Sequence, residues 1–187
     1  MGPNAPLRDF DAGNQSPLGL LWLTSIAGAI GTQTAFEIGS YNGLTALTLA
    51  LNLPAATIHT LDLGPADQPA LPLFRDDPQH IVERGSRLYE GSDAGTRIVQ
   101  HLGDSATFDF SPYYGVCQLV YVDGAHSFDY VQSDSEQAFR LVSSDGVVIW
   151  DDYWRQVPDV PRYLDGLDRR GLYRVPGTRL VVLLPAD

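Results

Sequence analysis

The chain has 187 residues, of which 44% are hydrophobic and 19% charged, as expected for one globular domain large enough to bury a core. Its formal net charge of −11 opposes a polyanionic backbone, so we expect no nucleic-acid substrate. The chain contains no lysine, which excludes a lysine base or Schiff base, and its single cysteine, Cys117, excludes an internal disulfide or a thiolate metal cluster.

The N-terminal part of the chain predicts an arm followed by an apolar helix. Residues 1–16 are rich in Pro, Gly, Asp and Asn and predict a loose arm, with one domain over residues 17–187. Ser16-Pro17 is a helix start signal, and residues 18–29 are apolar nearly all round. This helix either packs on a sheet or forms a homodimer face. No secretion signal is evident and the apolar run is too short to span a bilayer, so we expect a cytoplasmic protein that does not act at a membrane.

Residues 34–51 predict a strand, a tight glycine turn and a helix, which is the first unit of a parallel α/β sheet. Because Gly39 and Gly43 lack a Cβ atom, we expect the backbone of this turn to approach a ligand. Glu37 replaces the first glycine of the dinucleotide pattern G-x-G-x-x-G. A carboxylate repels a pyrophosphate and attracts a cation, so the turn suits the sulfonium and ammonium of S-adenosylmethionine (SAM) better than a dinucleotide.

The elements that follow continue the α/β alternation. Residues 57–62 predict a second strand, and Asp62 at its end can accept the hydroxyls of a ribose. Residues 64–95 contain a plausible helix over 79–89, and this segment is long enough to cover a site and to influence substrate choice. Its arginines, Arg75, Arg84 and Arg87, either meet an acidic substrate or are solvated.

The second half of the chain predicts three further parallel strands and a terminal hairpin. The strands cover residues 96–102, 117–122 and 147–150, and a helix is expected over 129–142. After a helix over 161–170, two short strands joined by Pro176-Gly177-Thr178 predict an antiparallel pair. The fold class is therefore α/β, a Rossmann-like doubly wound sheet of seven strands, mostly parallel and ending in an antiparallel hairpin.

Five motifs in this order resemble class I SAM-dependent methyltransferases, in particular the small bacterial group of methyltransferase domain type 24. The resemblance covers about residues 18–185. It implies that SAM binds at the carboxyl ends of the strands, with Asp104 and Ser105 beside the adenine. The motifs are Glu37-Ile38-Gly39-Ser40-x-x-Gly43, Asp62, Gly103-Asp104-Ser105, Val122-Asp123-Gly124-x-His126-Ser127 and Gly146 to Tyr153. The predicted cofactor contacts are Glu37, Gly39, Ser40, Tyr41, Asn42, Gly43, Asp62, Asp104, Ser105 and Asp123.

Three carboxylates are expected at one edge of the sheet, since Asp123 ends one strand and Asp151 and Asp152 end the next. Like charges raise one another's pKa unless a cation lies among them, and hard oxygen ligands favour Mg²⁺. The arrangement resembles catechol-type and macrolide- or sugar-modifying O-methyltransferases, in which such acids bind Mg²⁺. Many relatives carry His-Asp-Tyr instead of Asp-Asp-Tyr, so the alternative is that Asp123 alone contacts the methionine end of SAM.

His126 is the candidate base. It lies three residues after Asp123, where catechol-type enzymes carry a lysine, and an imidazole can accept a hydroxyl proton at neutral pH. The alternative is that it orders the loop through a hydrogen bond to Asp152 or to the backbone. Among the aromatic residues near the strand ends, Tyr41, Trp150, Tyr153 and Trp154 either wall the pocket or belong to the core.

The sequence therefore predicts a SAM-dependent methyltransferase that acts on a hydroxyl of a small molecule such as a sugar, polyketide or phenolic. The asparagine-proline-proline-tyrosine signature of amine methylation is absent. The catalytic residues would be Asp123 and His126, and the metal ligands, if Mg²⁺ assists, Asp123, Asp151 and Asp152. A nucleotide-dependent oxidoreductase is an alternative, disfavoured by the broken glycine pattern and by the lack of a Tyr-x-x-x-Lys pair. A second alternative is a SAM-binding module without catalytic activity.

Overall fold

The computed structural model describes residues 14–78, 87–168 and 170–185. The arm predicted over 1–16 and the helix predicted over 79–89 lie largely outside this part of the chain. The first helix forms as predicted, and it begins where the hydroxyl of Ser16 accepts a hydrogen bond from the backbone N–H of Gly19 at 3.1 Å. The helices are α1 (Pro17–Ala29), α2 (Leu44–Asn52), α3 (Phe128–Leu141) and α4 (Asp159–Asp165), with short 3₁₀ turns at Ala94–Arg97 and Ser111–Tyr113.

Seven strands form one sheet in the order β3-β2-β1-β4-β5-β7-β6, which confirms the predicted fold class. The first five strands are parallel, and β7 pairs antiparallel with both β5 and β6. The strand order reverses between β1 and β4, where open α/β sheets bind their ligands. The strands are β1 (Thr34–Ile38), β2 (Thr57–Asp62), β3 (Ile98–Leu102), β4 (Cys117–Val122), β5 (Val142–Trp150), β6 (Leu172–Arg174) and β7 (Val181–Leu183).

Each face of the sheet buries its own hydrophobic core, and successive residues of a strand enter opposite cores. Along β4, Leu119 and Tyr121 pack with α1 and α2, whereas Val120 and Val122 pack with α3 and α4. Trp150 belongs to the second core, where its indole N–H donates to the hydroxyl of Ser135 at 2.9 Å. It is therefore a core residue and does not wall the pocket.

Several boundaries differ from the predicted ones, and two of them differ by five residues. Strand β5 begins at Val142, five residues before the predicted start, because Val142 already pairs with Cys117 ahead of a register shift in β4. Helix α4 ends at Asp165, not at residue 170. No helix among the described residues has the length and apolar character that a membrane crossing requires.

Candidate active site

A cavity of about 460 Å³ opens at the carboxyl ends of the parallel strands. The loops after β1 to β5 form one wall, the segment 73–77 forms a second, and Trp154, Gln156, Val157 and Arg179 close the side next to β5. The predicted site residues that line this cavity are Gly39, Tyr41, Asp62, Asp104, Ser105, Asp123, His126, Asp151 and Asp152. Glu37, Ser40, Asn42 and Gly43 are not among the lining residues, and neither is Tyr153.

Glu37 lies beneath the cavity and not on its wall. It is only 1% exposed, and its carboxyl group accepts a hydrogen bond from the hydroxyl of Thr60, which is 2.5 Å from the hydroxyl of Ser40. Burial raises the pKa of Glu37 to about 8, so the group is largely neutral at pH 7. This corrects the prediction that Glu37 attracts a cationic cofactor by direct contact. Glu37 and Ser40 instead belong to a buried network that supports the turn.

The two glycines of the turn allow intramolecular contacts. Gly39 has a φ of 98°, and a Cβ atom there would lie 2.0 Å from the carbonyl oxygen of Asp123. Gly43 has a φ of 82°, and a Cβ atom there would lie 2.5 Å from the ring of Tyr89. The expectation that both glycines open the backbone to a ligand is thus corrected for Gly43, while Gly39 both lines the cavity and lets the β1 and β4 loops meet.

Asp62 lines the cavity at the end of β2, as predicted, and one of its oxygens is bound by an arginine. The guanidinium of Arg87 lies 2.6 Å from its Oδ2 atom, and both side chains are largely buried. The backbone N–H of Leu63 donates to Oδ1 at 3.1 Å. Arg87, considered above only as a substrate contact or a solvated charge, therefore orients this carboxylate. No local sequence pattern connects it to Asp62.

Asp104 connects the segment 64–78 to the domain. Its Oδ2 atom accepts hydrogen bonds from the backbone N–H of Ala70 and from the hydroxyl of Tyr130, the latter at 3.0 Å. Its Oδ1 atom accepts from the N–H of Ala106 at 2.9 Å. Asp104 therefore anchors this segment, and its predicted contact with the adenine amino group stays a prediction, since Oδ1 can accept a second hydrogen bond. Ser105 lines the cavity next to it.

His126 bridges two carboxylates. Its Nδ1 atom lies 2.5 Å from Oδ1 of Asp77, and its Nε2 atom lies 2.7 Å from Oδ2 of Asp152. Burial lowers the pKa of His126, but the hydrogen bonds and negative charges of Asp152 and Asp77 outweigh it and raise this pKa well above its ordinary value. His126 is thus an imidazolium with both N–H groups engaged. The predicted hydrogen bond to Asp152 is present, the one to Asp77 is additional, and the role of His126 as a base stays a prediction.

Asp123 joins the cavity to the N-terminal segment through a chain of hydrogen bonds. The buried hydroxyl of Tyr121 donates to Oδ2 of Asp123 at 3.2 Å and accepts from the side-chain amide of Gln15 at 3.2 Å. Removal from water, followed by the charges of Asp151 and Asp152, raises the pKa of Asp123 well above its usual range. Gln15 is 1% exposed, so the predicted arm is packed against the domain at this residue.

Arg179 binds the acid pair that follows β5. Its Nη2 atom lies 3.1 Å from Oδ2 of Asp151 and its Nη1 atom 3.0 Å from Oδ1 of Asp152. The antiparallel register explains the contact, because Trp150 pairs with Val181 and two further steps along each strand bring residue 179 opposite residue 152. The antiparallel register of the predicted hairpin is the sequence signal for this contact.

The predicted metal ligands do not fit a divalent ion as they are placed. The potential ligand atoms that lie within 4.8 Å of one another belong to Asp123, His126 and Asp152, and Asp151 is not in this group. Asp151 and Asp152 are both paired with Arg179, and the two ring nitrogens of His126 already serve carboxylates. An imidazolium has no lone pair for a metal. The set Asp123, Asp151 and Asp152 therefore stays a prediction, with two of its three members paired with Arg179 in this structure.

Comparison with known proteins agrees with this geometry. A family model described as a methyltransferase domain matches residues 36–153. No curated protein matches the sequence significantly. A SAH-bound methyltransferase from Podospora anserina, PaMTH1, shares 17% identity over 94% of this chain and 81% of its own, with a TM-score of 0.68.

Two further solved structures share the fold. An O-methyltransferase from Bacillus cereus in complex with SAH is 16% identical over 93% of this chain and 84% of its own, with a TM-score of 0.64. The O-methyltransferase TomG from Streptomyces achromogenes, involved in tomaymycin synthesis and solved with SAM, is 18% identical over 97% of this chain and 93% of its own, with a TM-score of 0.62.

Proposed function

The chain belongs to the methyltransferase-domain family of class I SAM-dependent methyltransferases, and we propose that it transfers a methyl group from SAM to a hydroxyl of a small molecule. The observation that carries this proposal is the cavity at the strand-order reversal, which is lined by Asp62 after β2 and Asp123 after β4. In this arrangement Asp62 accepts the ribose hydroxyls and Asp123 faces the methionine end. Gly39, Tyr41 and Ser105 complete the cofactor side.

The transfer needs the acceptor oxygen in line with the methyl carbon and sulfur, at about 3–3.5 Å from the carbon. A lone pair of the oxygen forms the new C–O bond, the C–S bond breaks with its electrons on sulfur, and SAH leaves. We assign the hydroxyl proton to Asp123, because His126 is already doubly hydrogen-bonded to Asp77 and Asp152. The carboxyl group of Asp123 lines the cavity after β4, within reach of an acceptor hydroxyl bound there.

The acceptor side of the cavity includes the aromatic and apolar residues Phe74, Trp154 and Val157 next to the polar Gln156 and Arg179. Such a wall suits a phenolic ring or the apolar face of a sugar or polyketide. Methylation of oxygen is favoured because two relatives of this fold are named O-methyltransferases. We expect no nucleic-acid substrate at this net charge. Three further statements remain predictions: a cytoplasmic location, an arm over residues 1–16 followed by one domain over 17–187, and a homodimer formed through α1.

The first test is calorimetric titration with SAM and SAH. We expect micromolar binding of both to the wild type and a loss of at least about tenfold in Asp62→Asn, which keeps the shape of the side chain and removes its charge. Asp93→Asn, an exposed aspartate before the first 3₁₀ turn, is the matched control and should bind like wild type. Absence of SAM binding in the wild type would refute the proposed cofactor.

The second test is transfer of a labelled methyl group to a panel of phenols, sugars and polyketide alcohols, with the corresponding amines as the comparison. Turnover confined to hydroxyl acceptors and reduced in Asp123→Asn is the expected result. A protein that binds SAM but methylates no acceptor would instead be the non-catalytic SAM-binding module. Binding of NADH, followed by its fluorescence, would favour the oxidoreductase.

A further inference from the structure

The acidic end of the cavity contains its own cations. Four carboxylates meet there, from Asp77, Asp123, Asp151 and Asp152, and each of the two cationic side chains among them contacts two carboxylates. His126 pairs with Asp77 and Asp152, and Arg179 pairs with Asp151 and Asp152. Such a cluster is stable when the mutual repulsion of its acids is offset by positive charge inside it.

Arg179 has the geometry to provide that charge. Its planar guanidinium spans the two acids after β5 with separate nitrogens, at 3.1 Å and 3.0 Å, and a guanidinium cannot lose its proton at any working pH. The side chain of Asp151 is 1% exposed and that of Asp152 15%, whereas the side chain of Arg179 is 28% exposed. Arg179 thus lines the cavity together with the two acids that it binds, and it is more exposed than either of them.

The backbone also holds Arg179 in place. Its carbonyl oxygen accepts a hydrogen bond from the N–H of Tyr153 at 2.9 Å, directly beside the acid pair. The ring of Trp154 lies 5.9 Å from the guanidinium carbon, within the range of a cation–π contact. These contacts come from the residues that follow β5 and from the connection that precedes β7.

We propose that Arg179 is a built-in cation that occupies the position a divalent metal ion would take at Asp151 and Asp152, so that the protein works without a divalent metal. This inference rests on the proposed function. If a methyl acceptor binds in the cavity, the guanidinium of Arg179 presents its positive charge to that acceptor. It predicts that the acid cluster becomes a metal site only when Arg179 is removed.

The test is Mn²⁺ binding, followed by calorimetry and by loss of the electron paramagnetic resonance signal of free Mn²⁺. The wild type should not bind Mn²⁺ at micromolar concentrations, and Arg179→Gln should bind it at least about tenfold more tightly. Arg179→Lys retains the charge and should bind Mn²⁺ as weakly as wild type. Adding Asp151→Asn to Arg179→Gln should abolish the new site.

The matched control is Arg174→Gln, on the same hairpin but exposed and stacked on Tyr153 away from the acids. It should leave Mn²⁺ binding unchanged. Micromolar Mn²⁺ binding by the wild type would overturn the inference, even if Arg179→Gln failed to fold. Equal behaviour of Arg179→Gln and Arg179→Lys would overturn it as well. The SAM titration is done without Mn²⁺, so it tests the proposed function independently of the Mn²⁺ experiment.

Discussion

At the scale of single residues, burial decides which carboxyl groups are charged. Glu37 and Asp62 both belong to the predicted cofactor site, yet Glu37 is buried with Thr60 and has its pKa raised to about 8, whereas Asp62 is paired with Arg87. A neutral acid under the glycine turn adds no charge to the cavity. Of these two acids, the one that lines the cavity is Asp62, which is paired with Arg87.

Glu37→Gln should remove a pH dependence of stability. Because the folded pKa of about 8 exceeds the ordinary glutamate value of 4.5, Glu37 contributes stability that is complete below pH 4.5 and is lost as pH rises through about 8. Denaturation with urea at pH 5 and pH 8.5 should show the variant gaining a few kcal/mol relative to wild type at the higher pH. The exposed Glu136→Gln is the control. Parallel pH profiles of wild type and Glu37→Gln would contradict the assignment.

At the scale of elements, specific contacts hold the turn after β1 and the segment 64–78 in place. Gly39 lets the β1 loop touch the carbonyl of Asp123, and Asp104 bonds the backbone of Ala70 and the hydroxyl of Tyr130. The first contact brings two cavity walls together, and the second connects the acceptor side to the sheet. Each has a consequence that a substitution can measure.

Gly39→Ala should destabilise the protein more than Gly91→Ala. Both positions have positive φ, at 98° and 72°, which costs a non-glycine residue about 1–2 kcal/mol. A Cβ atom at Gly91 meets nothing within 4 Å, while one at Gly39 would collide with the backbone of Asp123. Overpacking of this kind adds about 1–3 kcal/mol, measurable by chemical denaturation. An equal loss of unfolding free energy in the two variants would show that the backbone of Asp123 can move away from a side chain at residue 39.

Asp104→Asn should loosen the segment 64–78. The amide nitrogen of asparagine cannot accept the two hydrogen bonds that Oδ2 receives from Ala70 and Tyr130, and an unmade buried bond costs about 1–3 kcal/mol. Hydrogen exchange at Ala70 should accelerate by about tenfold or more. Asp109→Asn, which is exposed and bonds only to Ser111 at 3.0 Å, should leave that exchange unchanged. Unaltered exchange in Asp104→Asn would refute the anchor.

At the scale of the whole molecule, one sheet joins the two hydrophobic cores and the cavity. Alternate residues of β4 enter different cores, and the loops after five parallel strands surround the ligand site. Both cores share the strands of this one sheet. A ligand bound at the strand ends should therefore stabilise the entire domain.

SAM should raise the midpoint of a single thermal unfolding transition. At a concentration of about 100 times its Kd, mass action adds about 2.7 kcal/mol, which corresponds to about 5–10 °C for a domain of this size. The shift should be much smaller in Asp62→Asn at the same SAM concentration and unchanged in Asp93→Asn. Two separate transitions, or a full shift in Asp62→Asn, would contradict the account of one domain with its cofactor at Asp62.

Local patterns in the sequence determined the order of elements. Alternating apolar residues, glycine turns and the Pro176-Gly177-Thr178 connection predicted all seven strands and the antiparallel end. Because every parallel strand ends at the same edge, the acids that follow β2, β4 and β5 could be placed in one site without coordinates. The position of the site thus follows from local sequence patterns and from the rule that open α/β sheets bind ligands at the carboxyl ends of their strands.

Only the tertiary structure decided how those acids are paired and which of them are charged. Arg87 with Asp62, Asp77 with His126 and Arg179 with Asp151 join residues 25, 49 and 28 positions apart. Such partners depend on the path of loops and on the register of a hairpin, and neither leaves a periodic signal. Burial likewise belongs to the packed molecule, since the neutrality of Glu37 results from the strands that surround it and not from its neighbours in sequence.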